Sequence, residues 1–240
     1  MGNALDHGKI RIFSGSWLKL LAVVSMFIDH FACVIGQNNP LMHAPLFELG
    51  GEGISLFFLM RKIGRPAFPI FCFLVAEGYL HTRNRLKYGR NMLVFALLSE
   101  IPFNLMVGNA VLYPSRQNVY FTLLLGLIFM AVYDQNWKQW HKGLCFIALS
   151  LVAVAVQSDY GLRGALLVLL LYALREQPAL RTILSYPLLS SGVAAFTAFV
   201  PINLYNGQRG FIQSRWMKYA FYLFYPIHIL LLWVVKNCAS

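Results

Sequence analysis

Residues 17–36 read WLKLLAVVSMFIDHFACVIG. About 20 mostly apolar residues are enough for one helix to cross the hydrocarbon core of a bilayer. The stretch therefore predicts a transmembrane helix, and this helix carries two ionisable side chains, Asp29 and His30, beyond its middle. A charge at that depth is costly, so an ionisable residue inside a span is a functional candidate by default.

The composition of the whole chain also indicates a membrane protein. The chain has 240 residues, of which 58% are hydrophobic and 12% are charged, whereas soluble domains carry about 25% charged residues. This much apolar material excludes a disordered chain. The net charge of +11 does not sit on a polar domain, so we expect no nucleic-acid partner. The four cysteines lack ligand spacing, so we expect neither a disulfide framework nor a metal site.

Apolar stretches of similar length recur, and they predict an all-α integral membrane protein with a single bundle of about eight transmembrane helices. The predicted spans are 17–36, 64–81, 90–107, 118–134, 143–158, 160–175, 180–201 and 217–236. Residues 53–60 are apolar but too short to cross, so we expect them to lie at the interface, to re-enter, or to extend the second span. Residues 1–16 are predicted to be a short cytoplasmic segment, and 17–236 a single transmembrane domain.

Lysine and arginine in short loops predict the orientation of the spans. Twelve basic residues share the predicted cytoplasmic side: Lys9, Arg11, Lys19, Arg83, Arg85, Lys87, Arg90, Lys138, Lys142, Arg175, Arg181 and Lys236. Eight fall on the other side: Arg61, Lys62, Arg65, Arg116, Arg163, Arg209, Arg215 and Lys218. The difference predicts that both termini are cytoplasmic, and it leaves an outer side whose basic character the orientation rule does not explain.

Two histidines are predicted to lie at matched depth in the membrane. His30 is eleven residues past Lys19 and His228 is ten residues past Lys218, which is about 16 Å and 15 Å from opposite sides at the rise of a helix. Both fall near the middle of a core about 30 Å thick, so the two rings could meet. Histidine is the usual general base because its pKa lies near neutral. The alternative, buried histidines that only bond to a neighbouring helix, stays open at this point.

Further ionisable residues lie inside the predicted spans, among them Asp29, Arg65, Glu77 and Glu100. Asp29 adjoins His30, but helix neighbours point about 100° apart, so we expect Asp29 to pair with another helix through His228, Arg65 or a backbone donor. Arg65 and Glu100 are predicted at similar depth and could pair with each other.

The loop after the second predicted span is strongly basic. Its four cations are Arg83, Arg85, Lys87 and Arg90. They could serve only topology and contact with anionic lipid, or they could form a cytoplasmic phosphate site, since arginine side chains bind phosphate in a forked geometry.

Motifs spread along the chain resemble those of the TraX family. They are Asp29-His30, GRPAFPIF at 64–71, HTRNR at 81–85, SEIPFN at 99–104, Asn118-Val119, DYG at 159–161, LYNG at 204–207 and FYLFYPIH at 221–228. The resemblance runs from about residue 17 to 236 with order and spacing kept. The family is named for a conjugative-plasmid protein that acetylates the N-terminus of F pilin, and it is similar to larger membrane acyltransferases that modify sugars outside the cytoplasm.

The resemblance implies a membrane acetyltransferase of the bacterial inner membrane, with acetyl-CoA as donor. The catalytic candidates are His30 first, then Asp29, His228 and Arg65, and the CoA phosphates are expected on Arg83, Arg85, Lys87 and Arg90. Substrate-binding or supporting positions are Glu100, Asn118, Tyr160, Tyr222 and Tyr225, and the outer Arg163 and Arg209 would suit an anionic acceptor. The acceptor is expected to be a small molecule, peptide or glycan outside the cytoplasm, and the sequence gives no oligomeric state.

A proton-coupled transporter is the alternative from another functional class. Its relay would use Asp29, Glu77, Glu100 and the two histidines. Such a protein predicts two pseudo-symmetric halves with broken helices in corresponding positions. The sequence has helix breaks near Pro66 and Pro226 but no matching halves, so we rank this alternative second. A non-catalytic scaffold would leave the buried charges unexplained and ranks lower.

Overall fold

Helices account for most of the chain, in agreement with its apolar stretches. The computed structural model describes residues 11–238. Residues 1–10 of the predicted cytoplasmic segment, including Lys9, lie outside the described residues. The helices are α1 (Gly15–Phe31), α2 (Pro40–His43), α3 (Leu56–Gly64), α4 (Ala67–His81), α5 (Arg85–Gly108), α6 (Val119–Tyr133), α7 (Gln139–Val156), α8 (Gly161–Ala173), α9 (Pro178–Ser185), α10 (Gly192–Phe196), α11 (Phe199–Asn203) and α12 (Arg215–Cys238). A π-helical turn (Ala32–Gly36) extends α1, and a 3-10 turn (Tyr186–Leu188) follows α9.

Within residues 11–238, five helical stretches are long and apolar enough to cross a membrane, and the predicted count of about eight spans is not reached. They are α1 with its π-helical turn, α3 joined to α4, α5, α7 and α12. The helices α6 and α8 are apolar but shorter. An antiparallel hairpin of β1 (Pro45–Leu49) and β2 (Glu52–Ser55) is an exception to the all-α prediction. The apolar stretch 53–60 divides between β2 and α3, and α3 extends the second span.

Small residues let the central helices approach closely, as is usual where lipid removes the hydrophobic drive between helices. In α6, a side chain on Gly126 would collide with Val168 of α8, and one on Gly164 of α8 would collide with Thr122 of α6. The core formed by α1, α4, α5, α6, α8 and α12 is continuous. Large apolar side chains on α7 face outward instead, which suits contact with lipid.

The ends of the helices define two faces of the bundle. Asp134, which follows α6, accepts hydrogen bonds from Tyr79 (3.0 Å) and Tyr172 (2.7 Å), near the ends of α4 and α8. These three helix ends therefore share one face. Lys19, near the start of α1, lines a cavity together with His81 at the end of α4, so α1 begins on this same face. We call it the Lys19 face, and we call the opposite face, which carries the β1–β2 hairpin, the hairpin face.

The predicted span 180–201 does not cross between these faces. Arg181 in α9 donates a hydrogen bond of 2.8 Å to Asn203 at the end of α11, so the segment begins and ends on the Lys19 face. Its tip, Leu189–Ser191, reaches Arg65 in the interior. Residues 178–203 thus form a re-entrant segment, and the prediction of a single span here was wrong.

Local sequence explains why the re-entrant segment turns back. Pro187 lies in the 3-10 turn and has no N–H to continue a helix. Gly192 has a φ of +53°, a left-handed conformation that glycine adopts without steric cost. The chain therefore reverses between these two residues, and the apolar run of 180–201 is divided among three short helices.

The re-entrant segment reverses the predicted direction of α12. Ser16 donates its backbone N–H to the carbonyl of Arg209 (3.0 Å), just before α12, and Lys218 lines the same cavity as Lys19. Near the other end of the helix, Trp233 donates to Asn109 (2.9 Å), which follows α5 on the hairpin face. The first and last described residues therefore lie on opposite faces, whereas the sequence predicted both termini on one side.

The corrected direction of α12 also accounts for the basic outer side that the sequence left unexplained. Of the basic residues in 11–238, thirteen now fall on the Lys19 face: Arg11, Lys19, Arg83, Arg85, Lys87, Arg90, Lys138, Lys142, Arg175, Arg181, Arg209, Arg215 and Lys218. Six fall toward the hairpin face: Arg61, Lys62, Arg65, Arg116, Arg163 and Lys236. The asymmetry is now the kind expected when one face is cytoplasmic.

Cysteine labelling is expected to place the two ends of α12 on opposite sides of the membrane. Cys238 is exposed at the end of α12, and Gln208→Cys would lie before its start. In a background with Cys33, Cys72 and Cys145 changed to alanine, a membrane-impermeant maleimide should reach Cys238 from one side and Gln208→Cys from the other. Labelling of both from the same side would contradict the re-entrant segment.

Candidate functional site

His30 and His228 meet between α1 and α12. Nδ1 of His30 lies 2.7 Å from Nε2 of His228, and the two ring planes are 11° from parallel. His228 is buried and His30 is half-buried. The matched depth thus holds, but for a different reason than predicted: the spacings from Lys19 and Lys218 are both measured from the Lys19 face, because α1 and α12 run parallel.

The hydrogen bonds of the pair assign the ring protons. Nδ1 of His228 lies 2.6 Å from the carbonyl oxygen of Phe224. A carbonyl only accepts, so this nitrogen carries a hydrogen and, in the neutral ring, Nε2 of His228 is an acceptor. His30 must then donate from Nδ1, which leaves a lone pair on its Nε2. A neutral imidazole with a free lone pair, held by a second imidazole, is the arrangement that a general base requires.

Aromatic side chains enclose the histidine pair. Tyr225 is buried, and its ring centroid lies 5.9 Å from that of His30 and 6.0 Å from that of His228. Pro226 has no N–H to donate to the carbonyl of Tyr222, which lies one turn before it. The hydroxyl of Tyr120 donates to that carbonyl instead, at 3.0 Å. The substitute bond connects α6 to the irregular part of α12 and keeps the backbone beside the pair satisfied.

Asp29 pairs with two arginines and, within residues 11–238, with neither histidine. Its Oδ2 lies 2.8 Å from Nη1 of Arg61, and its Oδ1 lies 3.2 Å from Nη2 of Arg65. Arg61 also contacts the thiol of Cys33. The expected contact of Asp29 with Arg65 is present, but Asp29 is a partner of α3 and not an orienting group for His30. Arg61 was missed, although its spacing of four residues from Arg65 puts both on one helix face.

The expected pair of Arg65 with Glu100 was wrong. Glu100 accepts instead from the side-chain amide of Asn118 at 2.5 Å. Asn118 also donates to the carbonyl of Ala96 (2.8 Å) and caps α6 by accepting from the N–H of Tyr120 (3.0 Å). This buried group attaches the start of α6 to α5, so Glu100 and Asn118 support the fold beside the site. Tyr160 lies elsewhere, stacked on Phe68.

A cavity of about 550 Å³ opens at the Lys19 face and extends toward the histidine pair. Its mouth carries the cations Lys19, Arg209 and Lys218, and its walls are largely aromatic and aliphatic. Along α4 the lining runs from His81 to Phe71, about 15 Å at the rise of a helix. On α12 its deepest residue is Tyr222, six residues before His228, so the cavity ends about 9 Å short of the histidine pair.

One layer of aromatic rings separates the inner end of this cavity from His30. Tyr120 and Tyr222 line the cavity. The ring of Tyr120 packs at right angles on Tyr225, with centroids 5.3 Å apart, and Tyr225 contacts His30. A shift of the Tyr120 and Tyr225 rings would therefore connect the cavity to the histidine pair.

Glu77 in the cavity wall has two polar neighbours, His81 and Tyr205. Glu77 lies 3.4 Å from Nε2 of His81 and also accepts from the hydroxyl of Tyr205. Burial raises the pKa of Tyr205, and the adjacent carboxylate of Glu77 raises this pKa further, so the phenol stays a donor. The acidic group in the wall is thus occupied, and the cavity keeps its positive mouth.

The four cations of the predicted phosphate loop do not line this cavity. The side chains of Arg83, Arg85, Lys87 and Arg90 are exposed, and from that loop only His81, Thr82 and Tyr88 reach the lining. Arg85 pairs with Asp134 at 2.9 Å.

The two arginines predicted for an outer acceptor are separated. Arg209 is at the cavity mouth on the Lys19 face, so its placement on the outer side was wrong. Arg163 is exposed near the start of α8, on the hairpin face. In the described part of the chain, no group of three or more His, Cys, Asp or Glu side chains is arranged to hold a metal ion.

Comparison with known proteins finds similarity over almost the entire chain. A family model described as TraX protein matches residues 14–236. The chain is similar to a probable fimbrial assembly protein FimC, serogroup H1, from Dichelobacter nodosus, with 26% identity over 253 positions that cover 93% of this chain and 96% of that protein. No solved structure matches the chain.

Proposed function

The chain belongs to the TraX family, and from this premise we propose that it is a membrane-embedded acyltransferase. It takes an acetyl group from acetyl-CoA bound at the Lys19 face and transfers it to a hydroxyl or amine acceptor that approaches from the hairpin face. His30 is the general base. The excess of basic residues on the Lys19 face supports a cytoplasmic location of that face, with the start of α1 inside and the end of α12 outside. The family resemblance supports the bacterial inner membrane as the location.

The ordered pair of imidazoles is the observation that carries this proposal. His228 is fixed by the carbonyl of Phe224 and accepts from His30, so Nε2 of His30 keeps its lone pair. When this atom takes up a proton, His30 can pass its Nδ1 proton to His228. The positive charge then rests on the ring that donates to a backbone carbonyl, which stabilises it.

The reaction exchanges one acyl bond for another. The lone pair of the acceptor oxygen or nitrogen forms a bond to the thioester carbon, and the carbon–sulfur bond breaks with its electron pair going to sulfur. Nε2 of His30 removes the proton of the acceptor group. The same proton returns to the departing thiolate, so the products are the acetylated acceptor and free CoA. A route through an acetyl-histidine intermediate would use the same lone pair.

The cavity at the Lys19 face fits a donor of this kind. It has a basic mouth and apolar walls, and its inner end is one layer of aromatic rings away from His30. These features suit a molecule with phosphates at one end and a reactive thioester at the end of a long arm. Asp29 and Arg65 are paired with each other, so they hold α1 against the junction of α3 and α4.

The relative named for fimbrial assembly favours a subunit of a surface fibre as the acceptor. Such a subunit offers an N-terminal amine or side-chain hydroxyls, both of which a neutral histidine can activate. A glycan hydroxyl is the alternative acceptor, because it presents the same nucleophile.

A proton-coupled transporter remains the second candidate because of one observation. Re-entrant segments and broken helices are frequent in transporters, and the re-entrant segment 178–203 reaches Arg65 in the interior. Its sequence has no counterpart elsewhere in the chain, which disfavours the inverted repeats of that class.

Thermal unfolding with acetyl-CoA distinguishes the two functions. We expect acetyl-CoA to raise the melting temperature of the purified protein in detergent, since a ligand at 100 times its dissociation constant contributes about 2.7 kcal/mol. Acetyl phosphate, which lacks the nucleotide and the arm, is the matched control and should have no effect. A transporter would show no stabilisation by acetyl-CoA and no release of free CoA, and that result would overturn the proposal.

A further inference from the structure

We propose that Lys19, Arg209 and Lys218 form the phosphate-binding site of this protein, and that CoA is its ligand. The inference rests on the proposed function and deepens it, because it says where the donor is recognised. It also replaces the basic loop 83–90 as the expected phosphate site. The three residues lie far apart in the sequence, and the fold brings them to one cavity mouth.

Backbone hydrogen bonds hold the loop that carries Arg209 against the start of α1. Gly15 and Ser16 donate their N–H groups to the carbonyls of Gln208 and Arg209, at 2.8 and 3.0 Å, and the hydroxyl of Ser16 donates to the carbonyl of Arg209 at 2.8 Å. Gly210 has a φ of +81°, and a side chain there would collide with Ser16. Arg209 is therefore fixed beside the start of α1, one turn from Lys19.

The three cations at the cavity mouth favour the binding of an anion. Within residues 11–238, none of Lys19, Arg209 and Lys218 forms an ion pair with a carboxylate. The three cations repel each other at this separation. Glu77, the acidic residue in the wall, is already paired with His81 and Tyr205. Such an unbalanced cluster costs free energy unless a multiply charged anion binds there.

The cavity walls below the cations indicate which kind of molecule carries the anionic group. Tyr88, Tyr205 and Phe221 offer rings near the mouth, and Phe71, Leu74 and Leu123 line the path inward. An aromatic and basic mouth suits a phosphorylated nucleotide, since bases stack on such rings. A narrow apolar path suits an extended arm. CoA has both parts in this order, whereas an anionic lipid has the phosphate and an extended chain but no base to stack on the rings at the mouth.

Charge-neutral substitutions test the site. In Arg209→Gln with Lys218→Gln, two phosphate contacts are lost, and we expect acetyl-CoA to bind about tenfold or more weakly by calorimetry in detergent. Both side chains are exposed and repel each other, so the melting temperature of the unliganded protein should not fall. The matched control is Arg83→Gln with Arg90→Gln, which removes the same charge from the predicted loop and should leave the affinity unchanged.

The outcomes separate this inference from the proposed function. Equal affinity in the double variant and the wild type, or a loss in the Arg83 and Arg90 control alone, would overturn the phosphate site while acetyl transfer by the wild type could persist. Normal donor binding through these residues without any transfer would overturn the acyltransferase and leave the site intact. If the double variant loses only its preference for phosphatidylglycerol over phosphatidylcholine nanodiscs and binds CoA normally, the mouth binds lipid headgroups and the inference is wrong.

Discussion

Replacing His30 with alanine is expected to lower acetyl transfer about 10²–10⁴-fold, the range that a positioned general base contributes. The substitution removes the one imidazole nitrogen of the pair that keeps a free lone pair. Turnover is measured as free CoA released from acetyl-CoA by the purified protein, and as radiolabelled acetyl groups incorporated into membranes of the host strain that lacks this protein. The affinity for acetyl-CoA should be unchanged, because His30 does not line the cavity.

Two further variants make this result specific to the pair. His228→Ala should reduce turnover by less than His30→Ala, because His30 keeps a base nitrogen but loses the acceptor that fixes its proton. His141→Ala is the matched control, since His141 is exposed and stacks on Trp140 outside the cavity. A wild-type rate in His30→Ala would show that the imidazole pair is a packing feature and not a base.

Replacing Asp29 with alanine is expected to have the largest effect on stability. The substitution leaves Arg61 and Arg65 inside an apolar bundle without their carboxylate, with only 28% and 19% of their side chains exposed. Removing one partner of a buried ion pair costs about 3–5 kcal/mol. The measurement is the free energy of unfolding from denaturation with SDS in mixed micelles.

Two further variants serve as controls for this prediction: one removes a carboxylate elsewhere, and the other removes one of the two arginines left unpaired. Glu52→Ala removes a carboxylate from the exposed hairpin and should change the free energy of unfolding little. Asp29→Ala combined with Arg61→Leu should recover part of the loss, because one of the two unpaired charges is gone. If Asp29→Ala is no more destabilising than Glu52→Ala, the cluster does not hold α1 to α3 in the way described.

Residue-level physics predicted the parts of the site that depend on spacing along one helix. Lys19 and His30 lie on α1, and Lys218 and His228 lie on α12, so the rise per residue placed both rings near mid-depth, although the two spacings start from one face and not from opposite faces. The placement of Asp29 against another helix also followed from the angle between neighbouring residues. Both inferences needed no knowledge of which helices are adjacent.

The parts that failed depend on how the chain turns between helices. Hydropathy treats 180–201 as one span, because a re-entrant segment and a crossing helix can have the same apolar length. Pro187 and Gly192 were the local signals of a reversal, and the unexplained basic outer side was a second signal. The pairs Arg61–Asp29 and Glu100–Asn118 involve packing between helices, which no spacing along the sequence determines.

The position of bound acetyl-CoA shows whether the donor enters at the Lys19 face and reaches the histidine pair. Electron cryomicroscopy of the His30→Ala variant with acetyl-CoA would capture the donor without turnover. We expect density with phosphates at Lys19, Arg209 and Lys218, an arm along the cavity, and a thioester beside Tyr225 where the ring of His30 would stand. Density that enters from the hairpin face, or a thioester remote from the histidine pair, would contradict this expectation.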